Sequence, residues 1–308
     1  MRRDVGRDVY EAKGVNERSA LGNSDHVPVT DERHPRRLHY CTDGDGPMTV
    51  LFEAGLGKSR STWALTQPLV ARFARTVVYD RAGLGRSEPA TAPRTFGALL
   101  RDHLAVLDTA VTGPCILVGH SYGGPIVRRA AAERPDKVMG VVLVDEVNES
   151  AGADLLRRAM TGASALYGTQ VWLARTGLLG RALRRTYFRT LDGDALREAM
   201  TESGRVGAAK AARSEWRNMI PGIHDLEATG PHIPDVRLTE ISARRSRTPE
   251  QFERDFIFQS HKTTAESVTE GRHVSSSSRH HYIQLTEPEL VAAEIRRISD
   301  ESRVRFTA

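Results

Sequence analysis

The chain has 308 residues, which allows one large α/β domain with an insertion or two modest domains. Its 44 basic residues are nearly balanced by 39 acidic ones, and no basic arm with interleaved aromatic residues is present, so nucleic-acid binding is not expected. No apolar run is long enough for an integral membrane segment. Two cysteines make no disulfide framework and the first residues do not resemble a signal peptide, so we expect a cytoplasmic protein.

The distribution of apolar residues predicts three parts. Residues 1–33 are polar and are expected to form a mobile N-terminal extension. The α/β core is predicted over residues 34–149 and 236–308, where short apolar runs alternate with helical patterns. Such alternation is typical of a mostly parallel sheet with helices on both faces. Residues 150–235 contain no convincing strand and are expected to form an inserted helical cap.

The strands and helices of the core are predicted from its apolar runs and helical periodicity. The strand candidates are 49–54, 76–80, 115–118, 140–145, 236–241 and 271–275. The helix candidates are a segment from Trp63 to Phe73, residues 96–111, a segment from Ser121 to Pro135, and residues 287–299.

The cap has helical patterns at 153–160, 170–188 and 194–217. Its large apolar residues either cover a substrate pocket or pack the cap onto the core. These residues are Leu155, Leu156, Leu166, Tyr167, Trp172, Leu173, Leu178 and Leu179.

The sequence GHSYGG places a serine between glycines directly after the apolar run CILV. A sharp turn from a strand into a helix crowds the residues around its central position, and glycine at 119 and 123 removes the side chains that would clash. A serine on such a turn is lifted out of the strand and can meet a substrate. Ser121 is therefore the candidate nucleophile, and a Gly-rich connecting turn is the structural alternative.

A serine hydroxyl needs a neighbouring base, and the base needs an acid that orients it. Among 11 histidines, His281 lies on a loop between the last strand and the last helix, which makes it the candidate base. The competing histidines are His261, His273 and His280. Adjacent His280 and His281 do not predict a metal site, because their side chains diverge and no third ligand is suggested.

Asp145 is the candidate acid because it ends the strand GVVLVD, and the carboxyl ends of parallel strands form the rim where sites of α/β sheets lie. The structural alternative is that Asp145 caps the next turn. Later acids that compete for the role are Glu240, Glu250 and Asp255.

Two backbone N–H groups are expected to bind the oxyanion of a tetrahedral intermediate. One belongs to Tyr122, which follows the serine. The other belongs to Leu56 in the loop EAGLG, where Gly55 and Gly57 allow the backbone a close approach. An ordinary Gly-rich turn is the alternative interpretation of this loop.

Five segments together resemble the α/β-hydrolase superfamily, and especially its bacterial serine esterase-like members with a helical cap. They are LFEAGLG (51–57), YDRAGLGRSEP (79–89), LVGHSYGG (117–124), ERPDKVMGVVLVDE (133–146) and HHYIQLTEPELV (280–291). The resemblance implies that Ser121 is the nucleophile and His281 the general base, with Leu56 and Tyr122 as oxyanion donors. It also implies structural roles for Asp80 and Arg81.

The chain departs from this family pattern at two places. Many relatives carry the acid in a Gly-Asp loop after the penultimate strand, whereas here that place is ISARRSRTPEQF (241–252), which favours Asp145. Relatives usually have a glycine just before the histidine, whereas His281 follows Arg279 and His280.

The sequence therefore predicts a serine hydrolase that cleaves an ester or related acyl bond in a small molecule, with no metal and no organic cofactor. A serine nucleophile argues against epoxide-hydrolase and dehalogenase chemistry, for which the superfamily uses aspartate. One alternative is a non-catalytic scaffold that binds a small ligand or a protein. Another is a catalytic protein whose basic cap contacts membrane surfaces. The substrate, its acyl chain length and the oligomeric state are not determined by these patterns.

Overall fold

A computed structural model describes residues 18–30, 35–149, 163–230, 233, 235–243 and 251–306. Its strands form one nine-stranded sheet in the order β1-β2-β3-β5-β4-β6-β7-β8-β9. They are β1 (Arg18–Ser19), β2 (Gly22–Val29), β3 (Arg36–Asp43), β4 (Thr49–Glu53), β5 (Arg75–Tyr79), β6 (Cys115–His120), β7 (Val138–Val144), β8 (Arg237–Ser242) and β9 (Gly271–Ser275).

The six strands from β5 to β9 in the sheet order pair in parallel, and they are the six strands that the sequence predicts. Side chains of each central strand alternate between two apolar clusters. Phe52 and Val118 belong to one cluster, and Leu51 and Leu117 belong to the other. Both faces of the sheet are therefore covered, as continuous apolar strands require. This is an α/β fold with a mostly parallel central sheet.

The N-terminal residues correct one prediction. Residues 18–29 were expected to belong to a mobile extension, but β1 and β2 are strands of the sheet, and β2 pairs antiparallel with β3. Val27 and Val29 of β2 are buried in the cluster that contains Leu38 of β3. The other residues of β2 are mostly polar, so its two apolar positions were too few to indicate a strand. Residues 1–17 lie outside the described part of the chain.

The described helices are a 3-10 helix (Arg60–Trp63), α1 (Gln67–Val70), α2 (Phe96–Ala110), α3 (Gly123–Glu133), α4 (Ala163–Arg175), α5 (Leu179–Thr186), α6 (Gly193–Ser203), α7 (Val206–Thr229), α8 (Gln251–Glu266), α9 (Ile283–Thr286) and α10 (Pro288–Phe306). The continuous helix expected from Trp63 to Phe73 is divided into the 3-10 helix and α1. Pro68 lies in the first turn of α1, where its missing N–H costs nothing, and it starts a new helix there. In the described part of the chain, every helix is too short or too polar to cross a bilayer.

Four helices, α4 to α7, lie between β7 and β8 in the chain, where the sequence predicts the cap. The division into core and cap stays a prediction. Of the apolar residues proposed to line a pocket, Leu166, Trp172 and Leu178 are exposed, whereas Leu179 is buried. Leu155 and Leu156, together with the helix predicted at 153–160, lie outside the described residues.

A buried arginine joins this helical segment to the sheet. Arg60 is fully buried and donates hydrogen bonds to Asp80, which follows β5, and to Glu202 of α6, at 2.5 to 2.9 Å. Burial alone raises the pKa of Asp80, but Arg60 and then His39 lower it to about 2. The carboxylate is therefore ionised at neutral pH, and the arginine has two buried anionic partners.

We expect Arg60→Ala to lower the free energy of unfolding by about 3–5 kcal/mol, because it leaves buried carboxylates without their cation. Urea unfolding measures this loss. The control is Arg129→Ala, which removes a partly exposed pair with Glu133 on α3 and is expected to cost no more than about 0.5 kcal/mol. Equal losses for the two variants would show that the buried arginine does not hold the segments together.

Candidate active site

Ser121 occupies the turn between β6 and α3 in a left-handed backbone conformation with φ of 52°. A non-glycine residue rarely adopts such a φ, and surrounding contacts must hold it there. The Ser121 N–H donates to the carbonyl of Val144 at 3.1 Å, and the Ser121 carbonyl accepts from the N–H of Gly124 at 2.9 Å. The turn has the strand-to-helix form that the sequence predicts.

The residues beside this turn must be glycine because a side chain there would clash with neighbouring atoms. A Cβ at Gly119 would lie 2.6 Å from the carbonyl oxygen of Gly123, and a Cβ at Gly123 would lie 2.8 Å from that of Glu53. A Cβ at Gly55 would lie 3.2 Å from the Cβ of Ser121. The loop after β4 therefore lies directly against the serine.

Asp145 and His281 form a hydrogen-bonded pair. Asp145 follows β7 with φ of 43° and is 2% exposed. Its Oδ2 is 2.6 Å from Nδ1 of His281, and its Oδ1 accepts from the N–H of Ala243 at 3.0 Å. Because a carboxylate accepts, the imidazole carries its proton on Nδ1, which leaves the lone pair on Nε2.

In the described part of the chain, neither Glu240 nor Asp255 replaces Asp145 in this pair. Glu240 is fully buried within β8, and burial and the neighbouring Glu146 raise its pKa well above the ordinary value. The protonated form of its carboxyl group is therefore favoured. Asp255 lies in α8, and Glu250 lies outside the described residues.

His120 supports the His281 loop from behind. Its Nε2 donates to the carbonyl oxygen of His281 at 3.0 Å, and the two rings pack with their centroids 4.6 Å apart. Burial and then His281 lower the pKa of His120 well below the ordinary value, so its ring is neutral. His120 is thus a packing and positioning residue.

The other competing histidines have partners of their own. His261 and His273 both contact the hydroxyl of Ser242, at 2.8 and 2.9 Å. His280 is exposed and lies 2.5 Å from the guanidinium of Arg189.

Ser121 lies one residue from His120, whose ring contacts that of His281, so the serine and the Asp145–His281 pair occupy the same edge of the sheet. Within the described chain, no hydrogen bond joins the Ser121 hydroxyl to His281. In ligand-free sites such bonds are commonly long and shorten when substrate binds.

Two backbone N–H groups beside the serine have no hydrogen-bond partner among the described residues. They belong to Leu56 and Tyr122, which are 7% and 1% exposed. Buried N–H groups are almost always paired in folded proteins, so two unpaired donors next to one serine indicate a place for an acceptor from a ligand. These are the two donors that the sequence predicts for an oxyanion.

Arg81 fixes the loop that carries Leu56. Its guanidinium donates to the carbonyl oxygens of Ala54 and Gly55, each at 2.7 Å, and contacts the carboxylate of Glu53. It also binds Glu215 of α7 at 2.8 and 2.9 Å. The structural role inferred for Arg81 thus includes holding the candidate oxyanion loop, but its link to α7 had no signal in the sequence.

The described residues contain no group of three His, Cys, Asp or Glu side chains arranged to hold a metal ion. One charged residue near the site was missed by the sequence interpretation. Lys58 is buried two residues after Leu56. Its position inside a Gly-rich loop between buried segments was the available signal.

A parallel sheet with a serine on a strained strand-to-helix turn, and with an Asp–His pair on the same edge, defines a hydrolase of the α/β class. The alpha/beta hydrolase family model matches residues 50–294, and the chain belongs to this family.

Individual proteins and solved structures are similar to this chain at low sequence identity or over part of its length. An AB hydrolase superfamily protein of Gibberella zeae is 25% identical, with 87% of this chain and 92% of that protein covered. RutD of Variovorax paradoxus, named as a candidate carbamate hydrolase, is 37% identical over 35% of this chain and 42% of its own length. The solved structure of epoxide hydrolase VrEH1 from Vigna radiata has a TM-score of 0.69 at 18% identity, covering 90% of this chain and 98% of that one. At this identity, the structural likeness concerns the fold.

We expect Glu240→Gln to reduce the pH dependence of stability. Because the pKa of Glu240 is raised in the folded state, wild-type Glu240 holds its proton to a higher pH when folded than when unfolded, where it loses the proton above about pH 4.3. Wild-type stability therefore falls as the pH rises above that value. Glutamine does not titrate. The melting temperature of the variant, relative to wild type, should therefore be higher at pH 8 than at pH 5. Exposed Glu289→Gln is the control, and identical pH profiles for all three proteins would contradict a protonated Glu240.

Proposed function

We propose that the protein is a serine hydrolase that cleaves an ester or related acyl bond through an acyl-enzyme. The observation that carries this proposal is the 2.6 Å bond between His281 and Asp145, on the same sheet edge as Ser121 in its strained turn. The two unpaired N–H groups beside the serine give the same edge a binding place for a developing negative charge. Nucleophile, base, orienting acid and oxyanion donors are then all accounted for.

In the proposed reaction, Nε2 of His281 removes the proton of Ser121 as its oxygen attacks the substrate carbonyl carbon. Asp145 holds the ring with Nε2 toward the serine and stabilises the imidazolium. The carbonyl oxygen becomes an oxyanion between the N–H groups of Leu56 and Tyr122. The imidazolium protonates the leaving alcohol or amine, and water activated by His281 then releases the acid from the acyl-enzyme.

The names of the relatives do not identify the type of bond that this protein cleaves. The serine at position 121 restricts the possible reaction types. The epoxide hydrolase VrEH1 shares the fold. The turn of this chain carries the alcohol of Ser121, whereas epoxide-hydrolase chemistry in the superfamily uses an aspartate. RutD is named for carbamates, whose carbonyl carbon a serine attacks as it attacks an ester. We therefore place esters first and carbamates within the same proposed reaction class.

The first test is covalent labelling with a p-nitrophenyl phosphonate, which forms an Oγ–P bond with an activated serine and releases p-nitrophenol. We expect labelling of the native protein at Ser121, located by mass spectrometry, and none in Ser121→Ala. A folded native protein that does not react would favour the non-catalytic scaffold instead.

The second test concerns the acid. Asp145→Asn is expected to lower ester turnover by about 10⁴-fold, because an amide favours the wrong imidazole tautomer. Glu240→Gln is expected to remain within about twofold of wild type, since Glu240 is enclosed within β8 and its raised pKa favours a neutral carboxyl group, which glutamine resembles. Steady-state kinetics on a panel of acyl esters, with circular dichroism to verify folding, measures both. The assignment is wrong if Glu240→Gln abolishes turnover while Asp145→Asn is mild.

A further inference from the structure

A cavity lies between the loop that follows Leu56 and the helical segment. The core contributes Gly57, Lys58 and Ser59 to its wall, and α4 contributes Gln170. The helical segment also supplies apolar wall residues, among them Leu183 and Phe188. No aspartate or glutamate is among the described residues that line this cavity. We name it the Lys58 cavity.

Lys58 is an ammonium group without an anionic partner. It is 9% exposed, and its Nζ lies 3.5 Å from the ring centroid of Tyr187. It makes no hydrogen bond or ion pair with any described residue. Glu215 is the acid that acts on it electrostatically, but that carboxylate is bound by Arg81 and by the N–H of Gly57. A buried charge normally has a counter-ion, so a free ammonium group here indicates a ligand of opposite charge.

The charge on Lys58 persists at neutral pH. Burial lowers its pKa to about 8, although Glu215 partly offsets the effect of burial. At pH 7 the cation is therefore the main form, and an anion that entered the cavity would raise its pKa again.

Two further polar side chains of the cavity have no partner among the described residues. The hydroxyl of Ser59 is buried and unpaired, and the residue is 3% exposed. Gln170 is 8% exposed, and its side-chain amide makes no hydrogen bond with a described residue. An ammonium, a hydroxyl and an amide can all donate to one acceptor group. With apolar walls around them, they suit a carboxylate on an aliphatic chain.

The cavity is close to the proposed reaction centre. Lys58 is two residues from the proposed oxyanion donor Leu56. The ring of Tyr187, which Lys58 contacts, lies 5.2 Å from that of Tyr282, and Tyr282 follows the proposed base His281. Lys58 also lowers the pKa of His120 electrostatically, and the ring of His120 packs against that of His281. Lys58 is therefore near the proposed base.

We propose that the Lys58 cavity binds a carboxylate of the substrate, which makes the preferred substrate an acyl compound with an anionic group a few carbons from the scissile carbonyl. This inference rests on the proposed serine hydrolase activity and states which substrates that activity prefers. Lys58 supplies the charge complementarity, while Ser59 and Gln170 supply neutral hydrogen bonds.

Two matched phosphonates test the proposal. Both are ethyl p-nitrophenyl alkylphosphonates with the same chain length, and the chain ends in a methyl group in one and in a carboxylate in the other. Ser121 displaces p-nitrophenolate from either. The rate of p-nitrophenolate release per protein, with mass spectrometry of the adduct, gives the labelling rate constant. We expect the wild-type protein to react at least tenfold faster with the carboxylate reagent.

Substitutions of residues in the cavity wall test whether the Lys58 cavity causes this preference. Lys58→Met is expected to lower the ratio of the two rate constants at least tenfold, and Lys58→Arg is expected to retain a preference for the carboxylate reagent. Gln170→Leu, a second change in the same wall, should lower the ratio by a smaller factor. Exposed Lys262→Met removes the same charge from α8 and should keep the wild-type ratio.

The outcomes separate the two proposals. Labelling of Ser121 by both reagents at similar rates, or a ratio that Lys58→Met and Gln170→Leu leave unchanged, overturns the carboxylate site and leaves the serine chemistry intact. A folded protein that reacts with neither reagent overturns the serine chemistry, and the carboxylate site is rejected with it.

Discussion

The parallel pairing of β6, β7 and β8 is the constraint on which the site depends. It brings the carboxyl ends of these strands to one edge, and the ladder continues for one residue beyond them. There the N–H of Ser121 bonds the carbonyl of Val144, and the N–H of Asp145 bonds that of Ile241 at 2.7 Å. These bonds hold two non-glycine residues in left-handed conformations, each of which costs of order 1–3 kcal/mol. The hydrogen bonds of the sheet thus offset the strain of the two turns that carry these side chains.

Buried arginines couple the helical segment to this edge. Arg60 connects the turn after β5 with α6, and Arg81 connects the candidate oxyanion loop with Glu215 of α7. An ion pair without water is strong only when its geometry is maintained. A displacement of α7 would therefore disturb the carbonyl groups that orient the Leu56 N–H. The same helical segment forms a wall of the Lys58 cavity, so the proposed substrate specificity and the proposed oxyanion site share one set of supports.

Much of the fold could be predicted from the sequence because the signals for its strands and turns lie within short segments. Each of the six predicted strands is a short apolar run, and the glycines around Ser121 indicate a crowded turn whatever surrounds it. The pairing of β2 was not accessible. Val27 and Val29 are buried only because β3 lies beside them, and two apolar residues in a polar segment make no pattern by themselves. The prediction of one continuous helix from Trp63 was wrong although the relevant signal was local. The apolar spacing suggested a single helix, and Pro68, which starts a new one, was given too little weight.

The sequence by itself determined the class of fold, the serine on its turn and the order in which the candidate residues occur. Only the tertiary structure decided which carboxylate meets His281. Asp145 lies just beyond the end of β7, where its carboxylate accepts a hydrogen bond from His281. Glu240 lies within the neighbouring strand β8 and is enclosed in the sheet. The tertiary structure also revealed Lys58 as an unpaired cation, because charge pairing and burial depend on residues more than a hundred positions away. The separation of two residues along the chain does not show whether they are in contact, and only the packing of the folded protein does.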